Sequence, residues 1–556
     1  MPAIVKKKIK GRVYYYAVQT AWVDGRSRVV WQKYLGKAED IVARLTTPDG
    51  PCTARVFTFG AVAALFRLAR DLGVVEIIDR HAPKRNQGPS VGEYMLIAAI
   101  NRALAPTSKR QIGEWYAQTS LGRWLKARPE HLTSQRFWDH MDYLGPDEIR
   151  LIERDLTKVI VERCGLDLRT LIYDTTNFFT WIDTTNEAEL PQRGHNKQKR
   201  RDLKQVGLAL MVTLDFGIPL FHEVYPGNRP DARELASVVE ELVARYRSLA
   251  GTCQDVTLVL DKGNNSRSNI ASLAAALGFV GSLVPSQHPD LLAVPHSEFQ
   301  PLAGAEFGGL LAYRTHKEVF GAPRAVVVTY NEALYLGQLQ GLITGLRKAH
   351  QALRQLQRKL ASGKGKRPTA AKVRAQVRKI LRKPLDEIVK WSLREEEGGR
   401  LILTYEVDRA AERAYTERYF GKTILFTNRD DWSTEEIVRA YRGQGCIEAS
   451  FKAMKDRHFI GWSPMYHWTD SKIRVHAFYC VLALTLTALL RRQLAHAGLD
   501  LSTATILEQL GAIYEVAHIY PPEAKRKDTF TLSEMNELQQ RLAQILDLQA
   551  MHRLPG

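Results

Sequence analysis

The chain has 556 residues, 45% of them hydrophobic, enough to bury a large core and too many for one ordinary domain. Lys and Arg outnumber Asp and Glu by 79 to 60, a formal charge of +19; so basic a balance favours a polyanionic partner, because each cation set on a phosphate releases condensed counterions. Five scattered cysteines without a C-x-x-C pair argue against a disulfide framework or a zinc knuckle, and the basic start MPAIVKKKIKGRVYYY lacks the apolar stretch of a signal peptide.

In chain order, residues 1–50 form an N-terminal β-hairpin region, with β-rich runs on either side of Asp24 and Gly25, a dipeptide suited to turns that need positive φ. Residues 51–165 read as a helical DNA-binding domain: Leu65, Leu68 and Leu72 keep helical spacing, Gly73, Pro89 and Pro106 break it, and connections such as APTSKRQIGEWYAQ carry cations. Residues 166–290 change character. LRTLIYD, VGLALMVTL and IPLFHEVY read as three strands, and Pro230 and Asp231 open a helix through Ala250 with Asp231 and Glu234 spaced as a capping box. DVTLVLD is a fourth strand, followed by a helix over 266–277 and the short strand VGSLVP. The order β-β-β-α-β-α-β is that of an RNase H-like domain. Its final helix is delayed by an insertion over 291–425, which carries a basic helical hairpin at 341–391; the domain resumes over 426–496 and a C-terminal helical region covers 497–556. Within the resumed part, residues 475–490 are strongly apolar but include His476 and fall short of the roughly 20 residues that cross a bilayer, so they read as a buried core helix. The expectation is a multidomain α/β protein in a reducing, cytoplasmic setting, with no membrane.

Three carboxylates stand out. Asp174 ends the apolar run LIY and Asp261 ends TLVL, so each places a charge where a strand leaves a buried sheet, which is costly unless a cation compensates it. Either alone could merely cap a turn; together, on the first and fourth strands, they point to metal. Glu448 lies on a helix that Ser433 and Glu436 begin as a capping box, and Tyr441, Gln444, Glu448, Phe451 and Lys455 recur on one face of it. A stripe so mixed makes a poor core and must meet water, DNA or metal. Gly443 and Gly445 weaken that helix and predict a kink or a close backbone approach. Two-metal phosphodiester chemistry needs such carboxylates from different elements, and hard oxygen donors select Mg²⁺, with Mn²⁺ as a substitute, over zinc.

YRGQGCIEASFKAMK resembles the Y-x2-R-x3-E-x6-K signature of one branch of the DDE transposases of bacterial insertion sequences: Tyr441, Glu448 and Lys455 match its spacing, and Gln444 stands where that branch carries Arg. YDTTNF, GHNKQKRRDLKQV, YPGNRPD, LDKGNNS, ILFTN and MYHWTDSKIRVH are similar to the same branch, from about residue 10 to 495. The resemblance implies a retroviral-integrase-like catalytic fold, two bound Mg²⁺ ions on Asp174, Asp261 and Glu448, cleavage at terminal inverted repeats and strand transfer by the freed 3′ hydroxyl. It also implies double-stranded DNA as partner, both element ends and target, on the bacterial nucleoid, and a homodimer or higher oligomer that holds two ends together. A DNA-binding protein without catalysis and a nuclease that does not rejoin DNA are the alternatives.

The remaining candidates are cationic. Lys197, Lys199, Arg200 and Arg201 form a basic loop after the first strand, and Arg354, Arg358, Arg374, Arg378 and Arg382 lie in the insertion. There Leu346, Ala349, Leu353, Leu356 and Leu360, then Ala370, Val373, Val377 and Ile380, predict two heptad-like helices of about 20 residues folding back as an antiparallel pair. Residues 341–390 hold 15 Lys or Arg against Asp386 and Glu387, a balance that favours DNA contact. The kinase-like tripeptide Asp215-Phe216-Gly217 reads as a hairpin turn, and His195, His222, His467 and His476 are too scattered for a zinc site.

Overall fold

The structure, a computed structural model, describes residues 2–554 except 24, 47–50, 86, 184, 197, 199, 231–234, 236–237, 239–240, 242, 244–255, 363–367, 397–398, 464, 466 and 522–526. Its residues group into two units, Met1–Tyr143 with Leu489–Gly556, and Leu144–Ala488.

In the first unit, β1 (Pro2–Ile9), β2 (Arg12–Val23) and β3 (Arg26–Gly36) form an antiparallel sheet. The expected hairpin is β2 with β3; β1 is an addition, because its run of three lysines hides the alternation that marks a strand. Gly73 takes φ 69° between the helices Gly60–Asp71 and Val74–His81, the break expected there. Strand β4 (Thr53–Thr58) pairs with Tyr514–Ile519, which in turn pairs with Thr529–Leu532. The C-terminal region is therefore not helical throughout: two short strands accompany its helices.

The second unit is built on one mixed sheet of nine strands. They are β5 (Thr170–Thr180), β6 (Lys204–Thr213), β7 (Pro219–Pro226), β8 (Thr257–Leu260), β9 (Gly278–Leu283), β10 (Gln300–Pro301), β11 (Leu311–Val319), β12 (Ala322–Tyr330) and, after a separate hairpin of β13 (Val389–Glu396) and β14 (Arg400–Val407), β15 (Lys422–Thr427). The spatial order is β10-β11-β12-β15-β9-β8-β5-β6-β7, antiparallel everywhere except β5–β8 and β8–β9. All five strands expected over 166–290 are present, as is the helix Arg267–Ala276, which Ser266 caps. The helix expected through Ala250, with Asp231 and Glu234, lies for the most part outside the described residues. Parallel β8 is buried along its whole length, which is why it reads as an unbroken apolar run.

The insertion differs from its sequence reading first in that it adds strands to the same sheet. Ala325 to Val328 in β12 are all fully buried, and β12 pairs with β15, which pairs with β9. The basic helices are also unequal. The first, Glu332–Ser362, has 31 residues, and the second, Ala370–Ile380, has 11. The predicted seams nevertheless meet: Ala349, Leu353 and Leu356 pack with Val373 and Val377, and Val389, Leu401 and Leu403 of the β13–β14 hairpin close the cluster. The helix Asp470–His496 is long and apolar enough to cross a membrane, but 94% of its apolar window is buried, as a core helix requires.

Leu353 is 1% exposed in the insertion cluster, whereas Arg354 beside it is exposed. Leu353→Ala should weaken that cluster by about 2–5 kcal/mol through reduced burial and the cavity left behind, and Arg354→Ala by under about 0.5 kcal/mol. Hydrogen exchange over residues 332–407 reads the difference; equal protection in the two variants would mean that this seam does not hold the insertion together.

Candidate functional site

Strand β5 occupies the middle of the site, with β6 antiparallel on one side and β8 parallel on the other. Leu171 to Tyr173 are buried, and the next residue, Asp174, is half-buried. The β5–β8 register runs to Tyr173 opposite Leu260, and Asp261 continues β8 in extended conformation (φ −80°, ψ 158°). Asp174 and Asp261 are thus level on neighbouring strands, and the parallel register aims them to the same face.

The helix that covers this face is Gln444–Lys455, preceded by Thr434–Arg442. Ser433 and Glu436 form the expected capping box: Ser433 Oγ accepts from the Glu436 N–H at 3.1 Å, and Glu436 Oε2 accepts from the Ser433 N–H at 2.7 Å. The two helices divide at Gly443. A Cβ on Gly443 would lie 2.1 Å from Leu214 Cδ1 and 3.0 Å from Ile172 Cδ1, so the glycine marks a close approach to β5 and the β6–β7 turn. Cys446 Sγ donates to the Leu214 carbonyl at 3.3 Å beside it. The turn itself contains Asp215, Phe216 (φ 60°) and Gly217 (φ 61°), a hairpin turn as expected and also the seat of this helix. At the other end, Lys455 Nζ donates to Thr176 Oγ1 at 2.5 Å and lies 5.5 Å from the Phe178 ring, which stacks on buried Trp462 at 4.3 Å. Ile172, Asp174, Thr176 and Phe178 alternate along β5 on one face, so the helix runs along the Asp174 side.

Glu448 sits exposed between these anchors, seven residues from both Tyr441 and Lys455. Tyr441 links the three carboxylates: burial pushes its phenol above the ordinary tyrosine range, the nearby Ser282 hydroxyl opposes the rise, and the charges of Asp261, Glu448 and Asp174 add to it. All three acids therefore lie within electrostatic reach of one hydroxyl. Around them are polar atoms buried without a hydrogen-bond partner among the described residues: Asn264 Oδ1 and Asn265 Oδ1, just beyond Asp261, and Gln444 Nε2, one turn before Glu448. Buried polar atoms of this kind call for a partner such as water or an ion. As the side chains stand, no three Asp, Glu, His or Cys residues among those described are close enough to grip one ion. The donor types, carboxylate and amide oxygen without His or Cys in their midst, fit a hard cation such as Mg²⁺.

The cations divide into two sets. Arg354, Arg358, Arg374 and Arg378 are exposed on the insertion helices and Arg382 just beyond the second, away from the carboxylates in sequence and in fold element. Arg200 forms a two-pronged pair with Asp202 at 2.8 and 2.6 Å, and that guanidinium brings the Asp202 carboxyl down to about 2, so much of the charge of Arg200 is already answered. Arg201 is exposed; Lys197 and Lys199 lie outside the described residues. Arg439 and Arg442 turn away to Glu306 Oε1 and the Glu306 carbonyl of the insertion, at 2.8 and 2.7 Å. Of the histidines, His222 contacts Glu153, and His476 bonds the Trp462 carbonyl at 3.0 Å and the Tyr479 hydroxyl at 2.5 Å. Sequence reasoning misses Thr176, Ser282, Asn264 and Asn265, because a lone polar residue after an apolar run looks like any strand end.

Two substitutions test this geometry. Gly443→Ala should cost about 1–3 kcal/mol by overpacking against Leu214 and Ile172, whereas Gly445→Ala, with open space around its Cβ, should stabilise by up to about 1 kcal/mol through helix propensity. Urea midpoints decide it, and a neutral Gly443→Ala would place the helix farther from β5. The Tyr441 phenol holds its proton above the unfolded value of about 10, so its contribution to stability is present below that pH and lost as pH rises through the folded value. Asp261→Asn removes one of the charges that hold the proton on and should move the Tyr441 titration toward the ordinary value, followed by ¹³C-tyrosine NMR; an unmoved titration would separate Asp261 from the phenol.

No protein-family model matches the chain, and no curated protein matches it. Among solved structures it is similar to the piggyBac transposase in a synaptic complex with hairpin DNA, determined by cryo-EM, with 9% sequence identity over 83% of this chain and 81% of that one and a TM-score of 0.36. A likeness of that degree carries no argument about chemistry, and the reading of the site rests on its own residues.

Proposed function

We propose that the chain is a DDE-type transposase that binds the terminal inverted repeats of a bacterial insertion sequence, cleaves DNA at the element ends and joins them to target DNA. The observation that supports it is that three carboxylates, from a central strand, its parallel neighbour and the helix covering both, all lie within electrostatic reach of the Tyr441 hydroxyl. The order β7-β6-β5-β8-β9, antiparallel and then parallel from β5 onward, supports an RNase H-like catalytic domain. Asp174, Asp261 and Glu448 would hold two Mg²⁺ ions, or Mn²⁺ in their place. Metal held by these residues would supply a lowered pKa for the attacking water or 3′ hydroxyl and stabilisation of the leaving oxygen.

The chain's own groups would do the positioning. Lys455, held over Thr176, sets a cation beside the carboxylates where a phosphate must approach their combined negative charge. Tyr441 keeps its proton at neutral pH and can donate to a phosphate oxygen or stack beside an unpaired base. Gln444 has an Nε2 donor without a partner, suited to a backbone oxygen of the DNA. Affinity would come from sequence-independent contacts elsewhere: the loop of Lys197, Lys199, Arg200 and Arg201, and the insertion arginines Arg354, Arg358, Arg374, Arg378 and Arg382. A homodimer or higher oligomer would bring two element ends together on the nucleoid.

Incubation of the protein with its native element ends and Mg²⁺, with the cut strands mapped, tests the proposal. Asp174→Ala, Asp261→Ala and Glu448→Gln should each abolish cutting and leave binding of the uncut end within a few-fold, while Lys455→Ala should slow cutting more than it weakens binding. Efficient cutting by any of the three acid variants would remove that residue from the metal site, and hydrolysis without joined products would make the chain a nuclease.

A further inference from the structure

The sheet β1–β3 has two unlike faces. Cross-strand pairing puts Lys7, Tyr16, Tyr34 and Gln32 on one of them: Lys7 opposes Tyr14, Tyr16 opposes Tyr34, and Val18 opposes Gln32. That face is tied together only near its centre, and Tyr34 and Trp22 on it stay 52% and 78% exposed. Lys7 Nζ bonds Gln32 at 3.0 Å and lies 4.8 Å from the Tyr16 ring, Tyr16 packs on Tyr34 at 5.2 Å, Val18 is buried, and the helix Ala38–Thr46 follows directly. The other face carries Lys6, Lys8, Arg26, Arg28 and Lys33, all exposed, around Trp31 and Ile4, which are 49% and 67% exposed. From Pro2 to Gly36 the sequence holds eight Lys or Arg and one acid, Asp24, which lies outside the described residues.

We infer that this cationic face is a duplex-DNA docking surface, an inference that rests on the DNA reading above and gives it a recognition element outside the carboxylate site. Charge complementarity selects the occupant. Five cations with no acid on the face would repel a second copy of the same face, whereas a phosphate backbone neutralises them and releases its counterions. Shape agrees. Adjacent strands lie about 4.8 Å apart, so the three span roughly 10 Å between outer backbones, close to the major-groove width of about 12 Å. Cations on the outer strands β1 and β3 would then fall beside the two phosphate walls, and Trp31 and Ile4 would offer apolar contact to base edges such as thymine methyls. The bulges in the β2–β3 register, at Tyr15/Tyr16 and Gln19/Thr20, add to the twist with which a sheet follows a helical groove.

The test uses the full chain and a 40-bp duplex of mixed sequence. Replacing Lys6, Lys8, Arg26, Arg28 and Lys33 together with Gln should lower duplex affinity at least tenfold near physiological salt and reduce the slope of log K against log salt by up to about 0.9 for each phosphate no longer neutralised. A photocrosslinker placed at Gln19, on the cationic face, should capture the duplex, and one at Thr20, exposed on the opposite face of the same strand, should not. Unchanged affinity and slope in a variant with native circular dichroism would overturn the inference, as would equal crosslinking from both positions, preferred capture of single-stranded DNA, or loss of self-association without loss of DNA binding. If the unaltered chain binds no duplex, it is the transposase reading that fails; if it binds and the five-residue variant binds equally, only this surface fails.

Discussion

The candidate site depends on how closely one helix can lie on β5. At Gly443 there is no room for a methyl group: Leu214 and Ile172 occupy the space a Cβ would need. The absence of a side chain there lets the backbone settle onto the sheet, and the Leu214 carbonyl accepts from Cys446 one turn on. At the far end Lys455 reaches Thr176. A helix fixed at both ends has little freedom to slide or roll, so the residue midway, Glu448, is placed over the same face as Asp174 without needing a contact of its own. Its exposure is then a consequence of that geometry: the scaffold positions the carboxylate, and the carboxylate stays open to what approaches from solvent.

The sheet supplies the second half of the arrangement. A parallel pair with both faces covered must be apolar along its length; the β5–β8 pairing stops at Tyr173 and Leu260, so Asp261 follows the end of β8 while Asp174 stands where β5 loses that neighbour and runs on beside β6 to Thr180. The long insertion does not disturb this, because it adds β10, β11 and β12 to the sheet and returns through β15, which lies between β12 and β9. From β15 the chain reaches the Ser433 cap within six residues of Thr427. Glu306, inside the insertion, accepts from Arg439 and Arg442 on the helix that follows it. The insertion is thereby tied at two places to the elements that carry the site, although its own helical cluster around Leu353 and Val377 is separate from the sheet.

How far this could be read from the sequence depends on the range of the interactions. Asp174 and Asp261 stood out because a charge at the end of an apolar run is a local pattern, and Glu448 because helical spacing groups Tyr441, Glu448 and Lys455 within fifteen residues. The glycines signalled a kink or a close approach; Gly443 makes the approach, while Gly445 faces open space. What could not be read is what distant segments do to one another. Nothing local says that β4 pairs with a strand more than 450 residues later, or that the insertion's strands join the central sheet. Strand β1 was hidden for a different reason: its lysines belong to a solvated face, where alternation is between polar and polar, and hydrophobic periodicity is silent.

The distribution of charge separates affinity from chemistry. Residues 341–390 carry an excess of 13 positive charges and residues 2–36 an excess of 7, which together account for the whole formal charge of +19 and leave the rest of the chain near neutral. The elements around Asp174, Asp261 and Glu448 are therefore not where a polyanion would be drawn. Three carboxylates within reach of one phenol repel a phosphate, and Lys455 alone offsets only part of that repulsion. Under the proposed function, a phosphate brought to such a site would have to be held there by contacts made elsewhere on the DNA, until cations bound to the carboxylates reversed the local sign. On this view the basic segments are a condition for a carboxylate site to work on DNA at all, and removing them should cost binding first and cutting only through the weaker binding.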